Sequence, residues 1–387
     1  MPSTSEACTS FIISGKATKD GRPMIFKNRD TGDMNNVAVV VQGERFRFTG
    51  IVASWDKAAL SVWGGHNEAG FAIVNTAAYN LNGCKGKDTN NDGKVMRRAL
   101  EVCRTLADFE HLLDTLPHPR GVNSNFGVLD AEGGCAYYET GDSNFVKFDA
   151  NNQNEAPSGY IVRTNHGMTG CRDIDSGVER FMAITDLMAQ AHHEGHIDCE
   201  YLIANTPRYL THGLTKQNLL EGMPQDENDT RLIHFADFIP RYISSSTILV
   251  QGVAPGESPS HTISWTNIGW PCASVAIPLI LEEDVPLPSI VQRDESGKSW
   301  LCTKSITQKL KVFPQRRGNV RDYIDVSKLV NAAGTGIVQR IMPLEREVLS
   351  RSHDAIKKVR KDKNGAQKLR EYYLWVDEYV RANYPQD

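Results

Sequence analysis

Short β-branched runs punctuated by turn residues open this chain, and that texture commits it to antiparallel strands before any helix begins. Thr9–Ser14 is apolar and β-branched, Asp20-Gly21 marks a turn, and Pro23–Lys27 resumes an extended run. Val37–Gln42, Arg45–Phe48 and Phe71–Asn75 continue the pattern. Helical spacing first shows over Met96–Leu116, where Leu100, Cys103, Leu106, Leu112, Leu113 and Leu116 recur until Pro117 stops it. Strands return at Phe126–Leu129, Cys135–Glu139, Phe145–Phe148 and Tyr160–Arg163. A second helix is predicted over Ser176–Gln190, with Val178, Phe181, Ile184, Leu187 and Met188 on one face. Residues 207–240 are loop-rich, Ser246–Val250 and Ala273–Leu281 are late strands, and prolines with a basic cluster fill 286–318. Asp325–Tyr384 predicts two or three long helices broken near Pro343 and Gly365. Strand pairs, then helices, then strands again predict a layered α+β body with a helical C-terminal addition.

Composition narrows the function more than the fold. A length of 387 residues suits one large domain with an addition, or two domains. A net charge of −4 offers no basic face to track phosphates, so no nucleic-acid partner is expected. No apolar run is long enough to span a membrane. Met1 to Ala7 are small and polar with no apolar centre, so the chain as written predicts a cytoplasmic protein. Trimming of a native upstream signal would make it periplasmic or secreted, and the lone sequon at Asn228 does not decide between them. Eight cysteines without a CxxC pair argue against both a disulfide scaffold and a zinc ribbon. Most read as small buried hydrophobes.

Cys8 is the exception. A thiol attacks only as thiolate, and at an ordinary pKa of about 8.5 only a few per cent is ionised at neutral pH. It needs a base, and no histidine precedes His66. If Cys8 became the first residue, its own α-amine, with a pKa of about 7.7–8.0, would be tuned for that proton transfer. Ala7-Cys8-Thr9 at a strand entrance is a sensible cut, because residues 1–7 have nothing to pack with.

The run Cys8-Thr9-Ser10-Phe11-Ile12-Ile13, a turn, and Lys27-Asn28-Arg29-Asp30 resembles the opening of the cysteine N-terminal-nucleophile (Ntn) hydrolases. These include choloylglycine hydrolase, penicillin V acylase and the acyl-CoA:6-aminopenicillanic acid (isopenicillin N) acyltransferase branch, which the chain resembles most. The resemblance makes Asp30 the carboxylate that orients the amine and Lys27 the cation of the site. Bile-salt hydrolases carry Arg where Lys27 stands, and Arg29 is a second cation, so which lies near the thiolate is open. Asn67-Glu68-Ala69-Gly70-Phe71 leading to Asn75 resembles a further family run, implying an oxyanion N–H from the stretch Asn75 to Tyr79. Arg163-Thr164-Asn165-His166 resembles the Thr-Asn-His signature of the acyltransferase branch, with Asn165 as side-chain oxyanion donor. Ser176-Gly177-Val178-Glu179-Arg180-Phe181 resembles the family's Ser-x-x-Arg-aromatic helix start, making Arg180 a supporting cation. Asn125–Gly133 and Tyr138-Glu139 look like its paired core strands.

The resemblance implies a four-layer α/β/β/α sandwich of two antiparallel sheets over residues 8–285, after loss of a leader, 1–7. Residues 286–387 are a linker and helical extension that it does not cover. It implies a linear amide or acyl substrate, cleaved or transferred through a Cys8 acyl-enzyme, with no cofactor and no metal. Tyr79 and Trp63 are candidate substrate contacts, alongside Trp55, Tyr209, Phe235 and Phe238 as suitable apolar surfaces. A dipeptidase of the same fold and a non-enzymatic binding protein on a degenerate scaffold are the rivals, and a homo-oligomer is open.

Other motifs are weaker. Asp88–Val95 matches half of an EF-hand loop, but Ala99 stands where the bidentate Glu belongs, so a polar surface loop is favoured. His192-His193-Glu194-Gly195-His196 is not HExxH and reads as a polar helix end. Gly334-Thr335-Gly336 lacks the third glycine of a dinucleotide loop. Eight Lys or Arg against two Asp make Arg351–Arg370 basic, which reads as a solvated helix face.

Overall fold

The computed structural model describes residues 7–83, 91–172, 176–315, 318–361 and 365–386. In chain order the strands are β1 (Ala7–Ile13), β2 (Met24–Asp30), β3 (Asn36–Gln42), β4 (Arg47–Ala53), β5 (Gly65–Asn67), β6 (Ala72–Ala77), β7 (Ser124–Leu129), β8 (Cys135–Thr140), β9 (Phe145–Asp149) and β10 (Tyr160–Arg163), followed by β11 (Leu232–His234), β12 (Ser244–Gln251), β13 (Ile263–Ile268), β14 (Ile277–Ile280) and β15 (Tyr323–Asp325). The helices are α1 (Asp92–Val102), α2 (Leu106–Thr115), α3 (Val178–His193), α4 (Cys199–Asn205), α5 (Trp300–Val312), α6 (Val326–Leu329), α7 (Ile337–Lys361) and α8 (Gly365–Asn383).

One antiparallel sheet runs β10-β1-β2-β12-β13-β14 and the other β3-β4-β5-β6-β7-β8-β9, while β11 and β15 form a separate pair. The two sheets pack face to face, with β1 and β2 against β6 and β7. Every residue of β1 and β2 is buried, so alternation along these strands divides two interiors rather than inside from outside. Ile12 and Ile25 face the other sheet, where Gly127 leaves room: a Cβ there would come 2.9 Å from Ile25 and from Tyr137. Phe11 and Phe26 share the opposite face and stack at 5.1 Å, directly paired across the strands. Helices α1 and α2 cover the outer face of the second sheet with Met96, Leu100, Phe109 and Leu113. Helices α3 and α4 join the hydrophobic cluster of the first sheet. The predicted four-layer α+β sandwich is therefore present.

Three local expectations change. The helix predicted over Met96–Leu116 is two helices, because Cys103 is extended and Thr105 starts α2 with a capping box to Asp108. Pro343 does not break α7, since it removes one donor while Ile341, Leu344 and Val348 anchor the helix on both sides. Part of the EF-hand-like run, Asp88 to Asn90, lies outside the described residues. Its second half is not surface loop: Asp92 opens α1 and is buried.

Residues beyond 286 share the core of the first sheet, through Leu301, Val312, Ile341, Val348, Leu369 and Val376. A buried bidentate pair, Arg208 to Glu345 at 2.6 and 2.8 Å, fastens α7 to that sheet. Glu345 also accepts from the backbone of Ala276. Among the described residues no helix is long and apolar enough to cross a membrane.

His66 in β5 bridges the sheets, its Nδ1 lying 2.6 Å from Ser264 Oγ of β13. Complete burial pushes its pKa down to about 3. The unfolded ring protonates near pH 6.5, so between 6.5 and about 3 unfolding takes up a proton and stability falls as pH falls. Urea unfolding of His66→Gln is expected to lose about 1.4 kcal/mol per pH unit of that acid-side slope. Parallel profiles for the two proteins would refute the assignment.

Candidate active site

The register of β1 against β2 sets the geometry. Cys8 lies opposite Arg29, Ser10 opposite Lys27, and Ala7 opposite Asp30. Cys8, Ser10 and Ile12 share the face toward the second sheet, as the 2.6 Å contact of Ser10 Oγ with Tyr137 of β8 shows. Arg29 and Lys27 therefore lie on the thiol's side of the sheet, and Asp30 on the other. The nearer cation by register is Arg29.

Lys27 reaches across to the second sheet. Its buried ammonium donates to Asn75 Oδ1 at 2.6 Å and to the Trp63 carbonyl at 2.9 Å. Asn75 in turn donates to Asp92 at 3.2 Å and to Ser124 at 3.0 Å. Both cations stand over the Trp63 ring, Arg29 at 4.6 Å and Lys27 at 5.7 Å from its centre. Trp63 is thus a wall of the thiol-side face.

Behind the strand, Arg180 is almost wholly buried and donates to the Cys8 carbonyl at 2.6 Å, Thr9 Oγ1 at 3.0 Å and Asn165 Oδ1 at 2.8 Å. Burial pushes its pKa down to about 10, with Arg241 adding repulsion and Asp30 pulling the other way. It stays cationic at neutral pH. Because a guanidinium only donates, the Asn165 atom facing it is the carbonyl oxygen, which also accepts the Cys8 backbone N–H at 2.9 Å. That fixes the amide: Nδ2 donates to Ala77 O at 2.9 Å, and its second N–H has no acceptor among the described residues.

Asn165 sits just past the end of β10, and the second sheet holds that loop. Asn125 Nδ2 donates to the carbonyls of Thr164 at 3.2 Å and His166 at 3.1 Å. The buried carboxylate of Glu139 accepts from Arg163 Nε at 3.0 Å and from the backbone of Met168 and Thr169, each at 2.8 Å. The Tyr79 N–H makes a long bond of 3.3 Å to the Asn165 carbonyl, so these two segments are joined.

Asp30 is fully buried and accepts from Asn28 Nδ2 at 2.7 Å, Ser244 Oγ at 2.6 Å and Arg241 Nε at 2.8 Å. Sequence reasoning missed Ser244 and Arg241. A register shift between Ser244 and Ser246 in the β2–β12 pairing accompanies the Ser244 contact, and no sequence signal marks it. Of the apolar substrate contacts suggested by composition, Phe235 and Phe238 are buried core residues stacked at 4.6 Å, so they line no cleft. Trp55 is 72% exposed, with its indole N–H on Asp33. His192 packs near Tyr160 and His196 stacks on Tyr201, as aromatic neighbours at 6.2 and 5.2 Å. Cys171 is disulfide-bonded, whereas Cys8, Cys103, Cys135, Cys199, Cys272 and Cys302 are not in disulfides.

Two helix-covered antiparallel sheets with a cysteine at the head of a central strand match the fold expected from the resemblance to the N-terminal-nucleophile hydrolases. Residues 17–207 match the model of the acyl-coenzyme A:6-aminopenicillanic acid acyl-transferase family. The match takes in Lys27, Asp30, Asn75, Asn165 and Arg180 and begins after Cys8. No curated protein matches the chain. Similar solved structures include an N-acylethanolamine-hydrolyzing acid amidase ortholog from Caenorhabditis elegans, 13% identical over 65% of this chain and 93% of that one, TM-score 0.39. Penicillin V acylase from Agrobacterium tumefaciens is 12% identical over 71% and 87%, TM-score 0.40. A mutant conjugated bile acid hydrolase from Clostridium perfringens is 11% identical over 71% and 92%, TM-score 0.41.

Gly177, at φ +73°, caps α3 where a Cβ would strike the Arg180 guanidinium. Gly195, at φ +69°, has open space around it. Both Ala variants bear the left-handed backbone penalty of about 1 kcal/mol. Gly177→Ala is expected to cost at least about 1 kcal/mol more in urea unfolding, the scale of overpacking. Equal losses would mean that Arg180 is not held where described.

Proposed function

We propose that the chain is a thiol amidohydrolase or acyltransferase acting on a linear amide, with Cys8 as nucleophile and its freed α-amine as base. The observation that carries this is the Cys8–Asn165–Arg180 cluster, in which one amide side chain holds the nucleophile's nitrogen and keeps an N–H in reserve. In the uncut chain Cys8 is 3% exposed and its nitrogen is a peptide nitrogen, so activity requires loss of residues 1–7. Cleavage at Ala7–Cys8 frees the amine next to Asn165 Oδ1 and removes the residue paired with Asp30.

In the reaction, the amine takes the Cys8 thiol proton as sulfur attacks the amide carbonyl. The tetrahedral oxyanion is met by the second N–H of Asn165, and one such donor is worth about 3–4 kcal/mol of barrier. The C–N bond breaks, the leaving amine takes the proton, and a Cys8 thioester remains. Water, deprotonated by the same α-amine, releases the acid and restores the thiol; an acceptor amine in its place gives acyl transfer. Arg29, opposite Cys8, favours the thiolate, while Lys27 and Asn75 position Trp63 and the neighbouring strand. Asp30, set by Ser244 and Arg241, orients the charged groups behind the nucleophile. Trp63 and Tyr79 are the proposed contacts to the acyl part of the substrate.

Intact-mass measurement of the active protein is expected to show Cys8 as first residue. Cys8→Ala is expected to keep its leader if cleavage is self-catalysed. A fully active preparation that retains Ala7 would refute the mechanism. Asn165→Ala, checked for folding by circular dichroism, is expected to turn over apolar-acyl chromogenic amides about 10²–10³-fold more slowly. Unchanged turnover would remove Asn165 from the oxyanion site.

A further inference from the structure

At the opposite end of β1 from Cys8 lies a cavity of about 720 Å³. Five strand residues, Thr9–Ile13, separate Cys8 from Ser14, six steps or about 20 Å at 3.3 Å per residue. The cavity is built where that turn, the start of α4, the β12–β13 connection and the last turns of α7 meet. Its size is that of a pocket for a small organic molecule.

Most of its charges are paired, and Arg360 and Lys357 have no carboxylate within salt-bridge distance among the described residues. Lys19 pairs with Asp198 at 3.0 Å, Arg22 holds both Asp20 and Glu257, and His353 lies 3.0 Å from Glu200. Arg360 of α7 donates from Nη2 to the His261 carbonyl at 3.1 Å, and its buried Nε has no acceptor among the described residues. Trp265 lines the same cavity, 4% exposed, and its indole N–H also lacks an acceptor among the described residues. His261 Nδ1 in the same lining is likewise unpartnered among the described residues; leaving buried polar groups unmet costs about 1–3 kcal/mol each, and the Arg360 and Trp265 donors call for an oxygen acceptor. Ile203 and Ile356 supply an apolar wall.

We propose that this cavity is a second ligand site, separate from the Cys8 centre, for a small carboxylate with an apolar body. Arg360 and the Trp265 indole take the carboxylate, and Ile203 and Ile356 take the body. Binding ties α7 to β13 and α4. This reading does not depend on the mechanism at Cys8.

The test is calorimetric titration of the full chain with naphthoate, naphthyl phosphate and the neutral naphthylmethanol. Saturable one-to-one binding of naphthoate is expected, at least about tenfold tighter than either control. Arg360→Gln is expected to weaken it at least about tenfold, and Trp265→Phe, which keeps ring and shape, several-fold. Should Arg360→Gln fail to fold, Arg360→Lys keeps the charge, lacks Nε, and is expected to weaken binding several-fold. Absence of saturable binding, equal binding of the alcohol, preference for the phosphate, or binding indifferent to Arg360 and Trp265 would each overturn the proposal.

Discussion

A single buried guanidinium organises the candidate site. Arg180 donates to the Cys8 carbonyl, to Thr9 and to Asn165, so it joins the head of β1, the loop after β10 and the start of α3. A cation taken out of water is tolerated only where acceptors replace its hydration, and here they come from three segments distant in the chain. None of them is a carboxylate, so the charge stays available to the field around Cys8. Asp30 and Arg241 sit in the same field and adjust it in opposite directions.

The sandwich makes this arrangement stiff. Because β1 and β2 are covered on both faces, Cys8 cannot drift without disturbing either the inter-sheet packing or the α3 contact. Asn125 and Glu139 reach from the second sheet to hold the backbone around Asn165, so the two halves of the site are positioned by different sheets. The C-terminal helices add to the same core and are fastened by Arg208 and Glu345. They also bring Arg360 to the far end of β1, where it donates to the His261 carbonyl.

Much of this was legible in the chain itself. The Cys8 strand, Lys27-Asn28-Arg29-Asp30, Thr164-Asn165-His166 and Arg180 could all be picked out because each is a short polar motif interrupting an apolar run at a strand end or helix start. Composition was a poorer guide: Phe235 and Phe238 look like pocket residues by type and are core residues by position. Ser244 and Arg241 left no trace, since neither belongs to a motif and one reaches Asp30 beside a register shift.

Local pattern, then, determined the strands, the helices and which polar residues interrupt them, because backbone propensity and hydrophobic period act over a few neighbours. Only tertiary structure decided that Arg29 rather than Lys27 stands across from Cys8, that Lys27 reaches Asn75 and Trp63, and that Asn165 presents its oxygen to Arg180. Those outcomes depend on strand register and on partners tens to hundreds of residues away, and a one-residue change of register would exchange the two faces of β2.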